Sequence, residues 1–135
     1  MKKGVDRMSD DCLEQMKRMC EGIRDKLNGF RDGLVYDKET DEMVEMPEDC
    51  EDCERYLSLF DYLLGDNLGI KVTTDLRGET MYSCEICVAW GGPNIYIDTG
   101  TETVEGYWWT DRCSVPLDRE ICEMIDDTVD EYRQY

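Results

Sequence analysis

Histidine is absent from this chain, which removes the side chain most often used as a general base near neutral pH. No apolar run approaches the roughly 20 residues that a membrane-spanning helix needs. Internal repeats and low-complexity segments are missing too, so a single domain is expected over residues 1–135. The first residues, MKKGVDRMSDDC, begin basic but have no apolar stretch behind them. That argues against a secretory leader and for a cytoplasmic protein with reduced thiols. Positive charge is scarce: 15 Lys and Arg stand against 33 Asp and Glu, for a net charge of −18.

The deficit of cations is uneven. Residues 1–31 carry a net +2, residues 32–66 a net −11, and residues 67–135 a net −9. Nucleic acid and anionic membranes both present phosphates that a protein must neutralise, so neither is expected to bind directly. A basic protein partner is favoured instead, because the long-range field steers opposite charges together.

The best-patterned stretch is Met81 to Trp109, MYSCEICVAWGGPNIYIDTGTETVEGYWW. Tyr82, Cys84, Ile86, Val88 and Trp90 alternate with Ser83, Glu85, Cys87 and Ala89, the period of a strand with one buried face. Gly91-Gly92-Pro93-Asn94 and Thr99-Gly100-Thr101 are turn signals, and Ile70 to Leu76 alternates in the same way. These segments predict a four-stranded antiparallel meander over 70–109.

Helical periodicity flanks the sheet. Over 9–28, Ser9 is a candidate N-cap and Asn28-Gly29 a candidate stop; Cys12, Leu13, Met16, Met19, Cys20, Ile23 and Leu27 form an apolar stripe. A second helix is predicted over 47–64, opened by Pro47, with Cys50, Cys53, Leu57, Phe60 and Leu64 inward. Asp111 to Pro116 is expected to cross to a third helix over 118–133, with Asp118 as N-cap. Residues 31–46 read as an acidic connector, either a small hairpin or an extended loop. The expected fold class is α+β: two N-terminal helices, the meander, and a C-terminal helix.

No catalytic constellation stands out, and carboxylates are so abundant that any glycosidase-like pair could arise by chance. A non-enzymatic role is expected, without a cofactor. Two CxxC pairs, Cys50 with Cys53 and Cys84 with Cys87, have the composition of a tetrahedral zinc site. However, neither has the glycine or proline of a metal knuckle, and Cys84 and Cys87 should point to opposite faces of a strand. Structural thiols are the preferred reading, and a small structural or zinc-binding accessory protein is the alternative.

Dense carboxylates can imitate rows of phosphate and occupy the nucleic-acid cleft of a basic enzyme. The run from Asp37 to Glu54 is dense enough; Asp37, Glu39, Asp41, Glu42, Glu45, Glu48, Asp49, Glu51 and Asp52 are the candidate contacts. Adjacent Trp108 and Trp109 should face opposite ways, leaving one of them as an aromatic anchor.

The segments GLVYDKETDEMVEMPED, CEICVAWGGPNIYIDT, VEGYWW and ICEMIDDTVDEY resemble a group of small acidic proteins from phages and mobile elements of gut-type bacteria. No catalytic residue of that group is there to carry over. Its setting implies counter-defence work, such as inhibiting a CRISPR or restriction nuclease.

Overall fold

The computed structural model describes residues 2–49, 53–65 and 67–134, with side chains from residue 12 onward except at position 53. The fold is α+β, with three helices and two antiparallel sheets. Helix α1 spans Lys2–Arg31. A hairpin of β1 (Val35–Asp37) and β2 (Glu42–Val44) follows, then a single 3₁₀ turn (Cys53–Arg55), β3 (Tyr56–Leu57) and α2 (Leu59–Gly65). Strands β4 (Gly69–Thr74), β5 (Met81–Ala89), β6 (Asn94–Asp98), β7 (Thr103–Trp108) and β8 (Asp111–Pro116) come next, and α3 (Arg119–Arg133) closes the chain. The large sheet is a five-stranded meander in sequence order, and the small one has the order β2-β1-β3.

Three expectations are corrected, and one open alternative is resolved. First, the meander has a fifth strand, because Asp111–Pro116 pairs with β7 instead of crossing over. Pro116 fits the strand because β8 lies at the sheet's edge, where a missing N–H is tolerated. Second, the predicted helix over 47–64 shrinks to Leu59–Gly65, since Tyr56 and Leu57 pair with Asp37 and Tyr36. Of the two alternatives for 31–46, the structure has the hairpin, with Val35 opposite Val44.

Third, α1 runs past Asn28-Gly29. Its stop is Gly33, at φ +88°. The Gly33 N–H bonds to the Phe30 carbonyl and the Leu34 N–H to the Gly29 carbonyl, both bonds of a Schellman motif. Gly29 has a packing role instead. A Cβ there would lie 2.7 Å from Met43 Cγ, so the bare helix backbone is what lets β2 approach.

Helices α1 and α3 lie on one face of the large sheet, and α2 packs against α3. Helix α1 lies across β7 and β8, and α3 lies across β5. The core between them holds Cys20, Leu27, Ile86, Ile95, Ile97, Val104, Val115, Ile121, Ile125 and Val129. Gly106 is the point of closest approach: a Cβ there would meet Met16 Cγ at 2.7 Å. Asp118 caps α3 as expected, accepting from the Ile121 N–H at 2.9 Å, and its second oxygen pairs with Arg31 at the end of α1.

The opposite face carries Lys71, Glu85, Cys87, Tyr96, Asp98, Thr103, Glu105, Tyr107, Arg112 and Ser114, and none of these is buried. The sheet is therefore one-sided, with an aromatic and charged face turned to solvent.

Candidate functional site

Two surfaces stand out: the acidic hairpin with the segment after it, and the bare face of the large sheet. On the first, the structure sorts the predicted acids by what they touch. Asp37 is 3% exposed, not at the surface. Arg55 donates to both of its carboxylate oxygens at 2.8 Å, and the Glu39 N–H adds a third bond at 3.0 Å. The guanidinium holds the Asp37 carboxyl well below the usual carboxylate range. Glu39 pairs with the same guanidinium at 2.9 Å. Asp41 sits in the left-handed region at φ 58° and accepts from Lys26 at 2.7 Å and from Tyr36 Oη. These three acids anchor the hairpin to α1 and to β3, so Asp37 leaves the contact set.

Glu42, Glu45, Glu48 and Asp49 are exposed, and none has an ion pair among the described residues. They extend from β2 along the following segment. Glu51, Asp52 and Cys50 lie outside the described residues, as does the side chain of Cys53. The helix α3 adds a second acidic row at exposed Glu120, Glu123, Asp127 and Glu131. Asp126 does not join it. It turns inward to accept from Thr99 Oγ1 at 2.7 Å and from the Cys84 thiol at 3.6 Å.

Cys84 is buried under α3 and Cys87 lies on the bare face, so the two point apart. Burial pushes the Cys84 thiol up to about 12, which keeps it protonated and unreactive. Among the described residues no group of three or more Cys, Asp or Glu could hold a metal. No helix among them is long and apolar enough to cross a membrane.

On the bare face, side chains line up across the strands. One row runs Gly69, Cys87, Tyr96, Glu105, Ser114; the next runs Lys71, Glu85, Asp98, Thr103. Tyr107 stacks edge-on against Tyr96 at 6.1 Å, donates to Glu105 at 2.6 Å, and has the Arg112 guanidinium over its ring.

A β-bulge shapes this face. Pairing of β5 with β6 steps from Cys87–Tyr96 to Ala89–Ile95, so Val88 is the extra residue. That shift reverses the faces beyond it. Trp90, expected beside Ile86 in the core, is instead 67% exposed and walls a groove on the bare side. The groove has a volume of about 750 Å³ and is also lined by Leu68, Gly69, Lys71, Glu85, Cys87 and Tyr96.

The two neighbouring tryptophans resolve differently from simple alternation. Strand β7 ends at Trp108, which is half-buried. Trp109 sits in the two-residue turn to β8 at φ 58°, 90% exposed.

No family model matches this chain, and neither a curated protein nor a solved structure does.

Proposed function

We propose that this chain is an acidic binding protein that inhibits a nucleic-acid-handling enzyme by occupying its basic cleft, acting in the cytoplasm as a nucleic-acid mimic of anti-CRISPR or anti-restriction type. The observation carrying the reading is the division of labour among the hairpin acids. Asp37, Glu39 and Asp41 are spent on Arg55 and Lys26, which fixes the hairpin. Glu42 is thereby presented to solvent from a fixed hairpin, Glu45, Glu48 and Asp49 follow it exposed along the segment after β2, and the chain's net charge is −18. Carboxylates held in place lose less entropy on meeting a cationic cleft than carboxylates on a loose chain.

The row on α3 supports the same reading at lower density. Glu120 to Glu131 spans about 16 Å at ~1.5 Å per residue, or one carboxylate per ~5 Å. One DNA strand presents a charge every ~3.4 Å of axis, so α3 alone is sparser than what it would imitate. Exposed Trp109 is the aromatic anchor in this reading, since tryptophans at interfaces commonly carry a large share of the binding energy.

The test is inhibition of CRISPR and restriction nucleases by the wild type and by a variant with Glu42, Glu45, Glu48 and Asp49 all changed to Lys. The variant should keep the wild-type circular dichroism and lose inhibition. Wild-type inhibition should weaken steeply as salt rises from about 0.01 M to about 1 M, where the screening length falls from ~30 Å to ~3 Å. Full inhibition by the charge-reversed variant, or inhibition indifferent to salt, would sink the mimicry reading.

A further inference from the structure

We propose that the groove over β4 and β5 receives an arginine carried by an extended segment of the basic partner, a segment that adds to the sheet as a strand along β4. This rests on the reading that the partner is cationic, and it assigns that partner a second contact away from the acidic hairpin.

The edge is available. Strand β4 ends the large sheet, with β5 as its one ladder partner; among the described residues no strand lies beside its outer N–H and C=O groups, and the Gly69 N–H is bonded to Asn67 Oδ1 at 3.1 Å. Lys71, Val72 and Thr73 are exposed in succession along it. Extended peptides recognise such edges through main-chain hydrogen bonds, with pockets for alternate side chains supplying specificity.

A pocket for one such side chain is in place. An added strand would lie about 4.8 Å from β4, and its side chains on the bare face would continue the rows already described. In the row Gly69–Cys87–Tyr96, Gly69 has no side chain, and a Cβ built there would meet nothing within 4 Å. A long side chain can therefore lie across β4 at Gly69 and reach the space between Trp90 and Tyr96. At Lys71, two residues along, the row is blocked by a side chain of the same charge, so the arginine enters at Gly69.

The chemistry of the groove selects a guanidinium. Trp90 and Tyr96 line it with aromatic rings, on which a planar delocalised cation stacks better than a compact ammonium does. Glu85 lines the same groove and has no hydrogen bond or ion pair among the described residues, leaving its carboxylate open to a two-pronged contact. A second copy of this chain is a poor occupant, because two chains of −18 repel each other at close range.

The probe is a fluorescein-labelled nonapeptide of alternating arginine and valine, titrated against the full chain by anisotropy and by amide-shift mapping. Shifts should centre on Gly69, Lys71, Cys87, Trp90 and Tyr96. Trp90→Ala and Glu85→Gln should each weaken binding about tenfold with the far-ultraviolet spectrum unchanged. Lysine in place of arginine should weaken it several-fold, and N-methylation of alternate peptide amides should abolish it. Shifts confined to α3 or to residues 42–49, equal binding by both variants, or unaltered binding of the N-methylated peptide would overturn the proposal. Failure here and failure of the inhibitory reading are separable. Peptide bound in the groove of a chain that inhibits no nuclease supports the groove alone. Full inhibition by the Trp90→Ala variant overturns the groove and leaves the acidic hairpin as the inhibitory surface.

Discussion

Arg55 grips Asp37 with two parallel hydrogen bonds of 2.8 Å, Nε to Oδ1 and Nη2 to Oδ2, across 18 residues of sequence. The pair ties β1 to the start of β3 and so holds together the smaller sheet. It also explains why the acid that opens the acidic run is, among the described residues, the one acid of that run buried from solvent.

Because that grip lowers the Asp37 pKa, the carboxylate contributes stability above its unfolded value of about 3.9, and the contribution is lost as pH falls through the folded value. Asp37→Asn should therefore be less stable than wild type at pH 7, with the gap narrowing below about pH 4. Urea denaturation across this range checks it. A gap that stayed constant with pH would assign the loss to packing and not to the ion pair.

Asp126 should behave with the opposite sign. Burial raises its pKa, and the hydrogen bonds from Thr99 and Cys84 only partly offset this. A raised folded value favours the protonated form, so the stability this group gives at low pH is lost as pH rises through it. Asparagine keeps an oxygen to accept from Thr99 and carries no charge. Asp126→Asn should then be more stable than wild type at pH 7 and equal to it below about pH 4. The same urea series reads this, and a destabilised variant at pH 7 would contradict it.

Gly106 and Met16 set the distance between α1 and the sheet. A methyl group at Gly106 would lie 2.7 Å from Met16 Cγ and 3.1 Å from Cys113 Sγ. Gly106→Ala should destabilise the fold by about 1–3 kcal/mol through overpacking. The same change should be milder in a Met16→Ala background, since the clash is with that side chain. Equal losses in both backgrounds would place the strain in the backbone of β7 instead.

Periodic elements were legible in the sequence and their punctuation was not. The apolar stripe of α1, the cap at Asp118 and the alternation of β5 and β6 follow from one dominant period in each segment. Asn28-Gly29 is as good a local stop as Gly33, and only the approach of Met43 explains why helix continues through that pair. The segment around Leu57 has a helical stripe, yet pairing with Tyr36 outcompetes it, a nonlocal contact no window can register. Strict alternation puts Trp90 on the core face, but one bulged residue inverts everything after it. Of the acidic candidates, charge density alone could not separate Asp37 and Asp41, which have cations beside them, from Glu42 and Glu45, which do not.

Trp109 combines two unfavourable features that ordinary folding has no use for. A large aromatic is 90% exposed, and its backbone adopts φ 58° at a turn position where glycine is the usual choice. Non-glycine residues in that region carry a strain of about 1 kcal/mol, and such strain is concentrated at sites kept for contact. Trp109→Gly should accordingly raise the free energy of unfolding by about 1 kcal/mol, since little buried area is lost with the ring. The same variant should inhibit the partner nuclease less well, because the anchor is gone while the acidic arm is intact. If Trp109→Gly instead destabilises the chain and inhibits as well as wild type, the ring is serving the β7–β8 hairpin, and the interface must be built without it.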